Sequence, residues 1–363
     1  MLSKREEERR NQLEVVALDE LVPEDHLVRK IDQAIDFDFV YDLVKDHYSS
    51  NNGRPSVDPV VLIKMVLIQY LFGIRSMRQT IKEIETNVAY RWFIGYGFSE
   101  KIPHFSTFGK NYVRRFHDTD LFEQIFYRIL REAMKKGLVD PSVAFIDSTH
   151  VKANANKKKL EKKIVRVETR SYQNQLHEDR EKHGKKPLPL QNKEETKEIK
   201  VSTTDPESGY YVKDEREKSF AYSFHTACDS KGFILGSLVT GGNVHDSRML
   251  DSLVSKVTEK MGKPNVVAVD AGYKTPYIAK FLMDQEIRPV MPYNLRLTEI
   301  NKSIYAKRKE TIERVFADAK EKHGMRWTKL RGLKKVSMQA MLTFAAMNLK
   351  KLANWTWKGP CPA

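Results

Sequence analysis

The stretch Val266-Val267-Ala268-Val269-Asp270-Ala271-Gly272-Tyr273 places the tightest constraint on how this chain folds. Its apolar residues do not alternate with polar ones, so it reads as a strand buried on both faces rather than one half-exposed to water. The run ends abruptly on a carboxylate followed by glycine. Asp270 therefore belongs at the carboxyl end of a central strand, where open α/β sheets receive ligands. The same grammar recurs in Val143-Ala144-Phe145-Ile146-Asp147-Ser148-Thr149. A single Asp in such a place is commonly a helix cap or a turn residue. Two of them, with a third carboxylate at Glu313 on a basic helix, point to one shared site.

Charge narrows the class of partner. The 363 residues carry 63 Lys and Arg against 48 Asp and Glu, a net charge of +15, which favours a polyanionic partner over a purely small-molecule role. There is ample material for one large domain or two ordinary ones. Cys228 and Cys361 cannot make a zinc site by themselves and do not form a disulfide framework, which fits a reducing cytosol. Met1 to Arg10 is charged rather than apolar, so no signal peptide is expected. The most apolar stretch, Val60 to Ile74, contains Lys64 and Gln69 and falls short of the ~20 residues of a bilayer span. It reads as a core helix entered through Asp58-Pro59, with no membrane partner and a cytoplasmic location expected.

The first part of the chain is patterned for helices, interrupted at Gly53-Arg54-Pro55. Ser76 and Gln79 have capping-box spacing at the head of a short helix, and a second helix spans Val88 to Ile94 before Gly95 stops it. Pro103-His104-Phe105-Ser106-Thr107 offers a cap for a third, with Lys110, Arg114 and Arg115 on its polar side. Three short helices, the last one basic, suit a helix-turn-helix-like DNA reader, although a helical bundle with solvated charges has the same pattern. Asp120 with Glu123 is expected to cap a connecting helix that Gly137 terminates.

Beyond the strand ending at Asp147, composition shifts. About 157–218 is dense in both signs of charge and poor in aromatics, and reads as a solvated insertion. Leu160, Ile164 and Val167 recur at helical spacing there, so part of it is expected to be a surface helix. A hairpin follows, Phe220 to Ala227 and Phe233 to Thr240 joined by Asp229-Ser230-Lys231-Gly232. Asp246 or Ser247 is the expected cap of the next helix, and His245 beside it reads as a loop histidine rather than a metal ligand. The Asp270 strand, a helix from Pro276 to Asp284, a short strand at Arg288-Pro289-Val290-Met291-Pro292, and a basic stretch from Arg296 into the Glu313 helix complete a mixed α/β sheet.

Two metal ions roughly 3.5–4 Å apart need several hard oxygen ligands on rigid elements, and carboxylates are what Mg²⁺ prefers. Asp147 and Asp270 at strand ends, with Glu313 from a helix laid over the sheet, would supply them. Lys320 lies seven residues beyond Glu313, hence on the same helix face, and Arg314 and Lys322 add positive charge. The plainer alternative for Glu313 is a surface residue in a salt-bridged helix.

These residues resemble the catalytic core of DDE transposases encoded by bacterial insertion sequences. The resemblance lies in the two Asp strands, the Asn243-Val244-His245-Asp246 turn, and Ile312-Glu313-Arg314-Val315-Phe316 with Lys320. It extends to both flanks: Gly53-Arg54-Pro55 through Ser76-Met77-Arg78-Gln79, Asn87, Tyr90-Arg91-Trp92-Phe93 and His104-Phe105-Ser106-Thr107, then Leu342-Thr343-Phe344-Ala345-Ala346-Met347-Asn348-Leu349-Lys350-Lys351. One spacing departs from the family's Tyr, two residues, Arg, three residues, Glu, six residues, Lys. Tyr305 and Arg308 fit the first interval and Glu313 and Lys320 the last, but four residues separate Arg308 from Glu313, so Lys309 is a candidate to replace the Arg.

The resemblance implies a ribonuclease H-like mixed sheet with flanking helices at 139–363, carrying the charged insertion, preceded by an all-α, helix-turn-helix-like DNA-binding domain at 1–138. It implies a transposase that binds insertion-sequence ends and catalyses metal-dependent phosphodiester hydrolysis and strand transfer. Asp147, Asp270 and Glu313 are the implied catalytic and metal-binding residues, for two Mg²⁺ or Mn²⁺ ions, and Lys110, Arg114, Arg115, Arg314 and Lys320 the expected DNA contacts. Partners would be double-stranded DNA, both element ends and target, and other copies of the chain, on the bacterial nucleoid. An inactive DNA-binding descendant should lack an acidic ligand, and all three are present. A phosphatase with an aspartate nucleophile usually needs a second Asp two residues on, where this chain has Thr149.

Overall fold

The computed structural model describes residues 12–49, 56–166, 180–182, 184–186, 196–213, 218–292 and 298–359. The Gly53-Arg54-Pro55 break, Val167, Arg296 and Cys361 lie outside them.

The N-terminal region is helical among the described residues: α1 (Leu27–Ala34), α2 (Phe39–Val44), α3 (Pro59–Leu71), α4 (Met77–Thr86), α5 (Val88–Ile94), α6 (Ser106–Asn111) and α7 (Leu121–Lys135). Helix α3 starts as expected, with Asp58 accepting from the Val60 N–H and Pro59 in the first turn, and is buried nearly all round. Ser76 caps α4 through the Gln79 N–H; the reciprocal bond of a capping box is not made among the described residues, and the Gln79 amide nitrogen donates to Glu83. Asn87 caps α5, and Gly95 ends it in the left-handed conformation. The cap of α6 falls in the expected stretch, at Phe105, which makes no side-chain capping bond; His104 Nδ1 accepts from the Ser106 N–H. Asp120 makes no capping hydrogen bond to α7; its carboxylate accepts from Gln124 instead.

The sheet comprises β1 (Val143–Lys152), β2 (Leu160–Arg166), β3 (Thr196–Ser202), β4 (Gly209–Val212), β5 (Lys218–Cys228), β6 (Ile234–Gly241), β7 (Val266–Ala268) and β8 (Arg288–Val290). Its order is β2-β3-β4-β5-β1-β7-β8, with β6 on the same edge of β5 as β4. Within it, β6-β5-β1 is antiparallel and β1-β7-β8 parallel. This is the ribonuclease H-like mixed sheet expected of the chain. Helices α8 (Leu250–Met261), α9 (Pro276–Asp284), α10 (Glu299–Ala306), α11 (Ile312–Lys322) and α12 (Leu333–Thr356) surround it. Among the described residues no helix is long and apolar enough to cross a membrane.

One expectation for the insertion is corrected. Leu160 and Ile164 lie on a strand, not a surface helix, because residues four apart share a face in both structures and spacing alone does not separate them. The described strands of the insertion are largely exposed or half-buried, as a solvated insertion implies, but they are ordered on the sheet. Strands β2, β3 and β4 extend the sheet beyond β5, and Lys162 and Glu198 pair across β2 and β3 at 2.7 Å. At the junction a Cβ on Gly209 would stand 2.3 Å from the Asn243 backbone nitrogen and 2.5 Å from that of Gly242, so β4 fits beside the β6 turn only because this residue has no side chain.

The insertion is also tied to the start of α12. Asp205, 1% exposed, accepts from the Tyr222 hydroxyl at 2.8 Å and from the Gly332 N–H at 3.1 Å, and Glu207 accepts from the Leu333 N–H at 3.0 Å. Helix α12 then runs through the core, packing on α7, α1, α3 and β6. Its buried Asn348 both accepts from the N–H and donates to the carbonyl of Ile234 on β6, each at 2.9 Å. Replacing Asp205 with Ala deprives the buried Tyr222 hydroxyl of its acceptor and leaves the Gly332 N–H only its 3.2 Å bond to that hydroxyl, and urea denaturation is expected to show a loss of about 1–3 kcal/mol; Tyr222→Phe, which keeps the bond from Gly332 to Asp205, is expected to lose less.

Candidate active site

Two strand ends bring the aspartates together. In the parallel pairing of β1 with β7, Phe145 is opposite Ala268. Asp147 and Asp270 each lie two residues further along, and neighbouring strands are about 4.8 Å apart, so both carboxylates leave the sheet at the same level. Val267, Ala268 and Val269 are fully buried, and Val269 continues the pairing by donating to the Val290 carbonyl at 3.0 Å. The chain then turns: Asp270 caps a short 3₁₀ turn, Ala271–Tyr273, accepting from the Gly272 N–H at 2.9 Å.

Asp147 faces the side of the sheet on which α11 and α12 pack. Opposed residues of antiparallel strands share a face: Asp147 pairs with Thr226 and Thr149 with Phe224, and Phe224 meets Phe344 of α12 edge-on at 6.5 Å between ring centroids. Asp147 Oδ1 accepts from the Ser148 N–H at 2.8 Å. Its Oδ2 accepts from Arg308 Nη2, also at 2.8 Å, an ion pair whose side chains are 21% and 6% exposed. Burial is the largest influence on Asp147 and pushes its pKa up to about 6; Arg308 and the Ser148 N–H oppose the rise, and the charges of Asp270 and Asp246 add to it.

Arg308 lies between α10 and α11, in the turn that absorbs the extra residue of the spacing. Its carbonyl accepts from the Glu313 N–H at 3.3 Å, so the residue that pairs with Asp147 also fixes the start of the helix carrying Glu313. Lys309 is exposed, and it is Arg308, at the Tyr305–Arg308 interval, that meets Asp147. Arg308 lies 5.6 Å from the Tyr305 ring centroid.

Glu313 is exposed in the first turn of α11, which packs against β1. Helix α11 thus carries the third carboxylate to the Asp147 side of the sheet, but among the described residues no three His, Cys, Asp or Glu side chains are gathered closely enough to enclose a metal ion. A fourth carboxylate, Asp246, stands nearby. It reaches Ser223 Oγ at 3.5 Å and His225 Nδ1 at 3.4 Å, residues one position out of phase with Thr226, and so approaches from the opposite face. Burial drives the His225 pKa down to about 4 against the pull of Asp246, which keeps the imidazole neutral. Tyr273 is buried near all three aspartates; burial first, then Asp246, Asp147 and Asp270, hold its phenol above the ordinary range. His245 accepts from the Ser247 N–H and caps the Asp246–Arg248 turn, so it is a structural cap; α8 itself begins after Met249, which makes no side-chain capping bond, not at the Asp246 or Ser247 cap expected.

The basic residues divide. Lys110 and Arg114 are exposed. Arg115 is half-buried instead, its guanidinium 4.3 Å from the Tyr48 ring centroid and hydrogen-bonded to Asn111. Lys320 lines a cavity of 430 Å³ beside Ser148 and His150. Arg314 lines a separate one with Lys350 and Lys351.

Residues 16–114 match the transposase domain family (DUF772), and residues 287–353, which hold Arg308, Glu313 and Lys320, match the transposase DDE domain family. No curated protein matches the chain. Solved structures with some likeness include the Mos1 mariner paired end complex with Mn, at 12% identity and a TM-score of 0.28 over 85% of this chain and 80% of that one. The Mos1 strand transfer complex matches at 9% identity and a TM-score of 0.27 over 85% and 79%. Likeness this slight carries no argument about the site.

Because the folded-state pKa of Asp147 lies above its ordinary value of 3.8, its contribution to stability is fully present below that value and is lost as pH rises through about 6. Arg308 offsets part of that loss. Arg308→Ala is therefore expected to destabilise the protein by about 3 kcal/mol at pH 8, the scale of a broken buried ion pair, and by less at pH 5. Denaturation midpoints at the two pH values measure the difference.

Proposed function

The chain is a DDE transposase, and we propose that it cuts and joins DNA at the ends of an insertion sequence, using Asp147, Asp270 and Glu313 as its catalytic carboxylates. The observation that carries this is the shared level of Asp147 and Asp270 at adjacent parallel strand ends, with the helix that bears Glu313 packed against β1. DDE transposases use divalent metals. The donor set here is all hard carboxylate oxygen, the chemistry that fits Mg²⁺ or Mn²⁺. Two such ions, when bound, lower the pKa of water and neutralise charge on a leaving oxygen.

The chain's own residues do the positioning. Asp147 and Asp270 hold one side of the site on rigid strand ends and Glu313 completes it. Arg308 orients Asp147 through Oδ2, and Lys320, two helical turns beyond Glu313, holds a phosphate. Water attacks the phosphodiester at the element's end, the bond to the 3′ oxygen breaks, and that oxygen leaves as a hydroxyl. The hydroxyl then attacks a phosphodiester of target DNA in the same site, so no Ser or Tyr nucleophile is needed. Residues 1–138 bind the element end, 139–363 perform the chemistry, and several copies assemble on the DNA.

Asp147→Asn, Asp270→Asn and Glu313→Gln are each expected to reduce Mn²⁺-dependent cleavage of end-bearing DNA by more than about 100-fold, beyond the 10–100-fold typical of outer-shell changes, while DNA binding stays intact. Wild-type cleavage by any one of them removes that residue from the site. Exposed Lys110 and Arg114 are the phosphate contacts of the N-terminal region; changing both to Ala should reduce the slope of log affinity against log salt by about 2. Arg115→Ala should instead act mainly on stability.

A further inference from the structure

We propose that Trp327 and the basic trough around it bind one unpaired DNA strand beside the catalytic carboxylates, with a base of that strand stacked on the indole. The proposal rests on the transposase reading of those carboxylates and adds a residue to it.

After α11 the chain runs extended along the end of β1. Lys152 donates its N–H to the Arg326 carbonyl at 3.1 Å and accepts from the Thr328 N–H at 2.9 Å, which brackets Trp327. Met325 is fully buried and Thr328 is 4% exposed, so the backbone on either side is anchored. Trp327 is nevertheless 52% exposed. A large aromatic ring on an anchored backbone, uncovered, is a contact surface awaiting a partner, because the burial it forgoes is substantial.

Its surroundings identify that partner. On one side is the 430 Å³ cavity that begins at Ser148, next to Asp147, and is lined by Lys152, Lys213 and Lys320. Beside it His150 stacks on Tyr211 with ring centroids 3.7 Å apart. On the other side is a 530 Å³ cavity reaching the turn between α3 and α4, where Arg75 and Lys329 contribute. Lys320, Arg326 and Trp327 line both, so the two form one trough with the indole in the middle. Glu321 lines it too and pairs with Arg326, and among the described residues the other Lys and Arg side chains lining the trough are Lys152, Lys213, Lys320, Arg75 and Lys329. Cations that follow a backbone, with an aromatic ring on which any base can stack, are the recurring means of holding single-stranded nucleic acid. Each cavity lies within the range of about 300–1,000 Å³ typical of pockets for small organic groups, a size suited to nucleotides of one strand.

The test uses the full chain, with EDTA present to prevent cleavage. Fluorescence anisotropy compares three probes of equal length: a single-stranded oligonucleotide, the same strand with central abasic sites, and a blunt duplex. Trp327→Ala is expected to weaken binding of the base-bearing strand by about tenfold, with little effect on the abasic strand or the duplex. Trp327→Phe should retain most of the wild-type affinity. Circular dichroism melting shows that the variants fold. Equal affinity of wild type and Trp327→Ala for the base-bearing strand overturns the proposal, as does an equal loss on all three probes. Mn²⁺-dependent cleavage by the wild type, measured separately, tests the carboxylate assignment, so either reading can fail while the other stands.

Discussion

The parallel pairing of β1 with β7 is the constraint on which the site depends. It sets Asp147 and Asp270 side by side because both lie two residues beyond the Phe145–Ala268 pair. A slip of one residue would turn one of them to the opposite face. The register is held by Ala144, Phe145, Val267 and Ala268, all essentially buried, for which a shifted pairing would expose apolar surface. Arg308 adds the second link. Its guanidinium compensates a carboxylate that burial would otherwise neutralise, and its carbonyl fixes the start of the Glu313 helix.

Helix α12 joins the two regions. It packs against α1, α3 and α7 and against β6, and its Asn348 satisfies both polar groups of Ile234. A second junction lies at the end of α11. His323 Nδ1 is 2.7 Å from the Tyr70 carbonyl, and a Cβ on Gly73 would stand 2.5 Å from the Lys322 carbonyl oxygen. The N-terminal helices therefore abut the helix that carries Glu313 and Lys320.

The insertion is part of the same framework. Asp205 and Glu207 accept from the first backbone N–H groups of the α12 segment, where a helix N-terminus favours carboxylates. Strands β2 to β4 are thus anchored at the helix that also packs on β6 of the central sheet. Their charged composition reflects a strand extension exposed to water, not an absence of structure.

Local chemistry made much of this legible. Unbroken apolar runs marked β1 and β7 and placed an Asp at the end of each. Gly95 ended α5, and Pro276 began α9, because breakers and first-turn residues act within one turn of the chain. Residue spacing could not decide whether Leu160 and Ile164 belonged to a helix or a strand, since β3 supplies the partner that settles it. Nor could it show that Arg308 reaches Asp147, that Arg115 turns toward Tyr48, or that Trp327 stays uncovered beside a basic trough. The sequence by itself determined periodicity, caps and the inventory of carboxylates. Tertiary structure decided which distant groups meet, because pairing across a sheet and burial beneath a helix arise only when segments far apart in the chain close on one another.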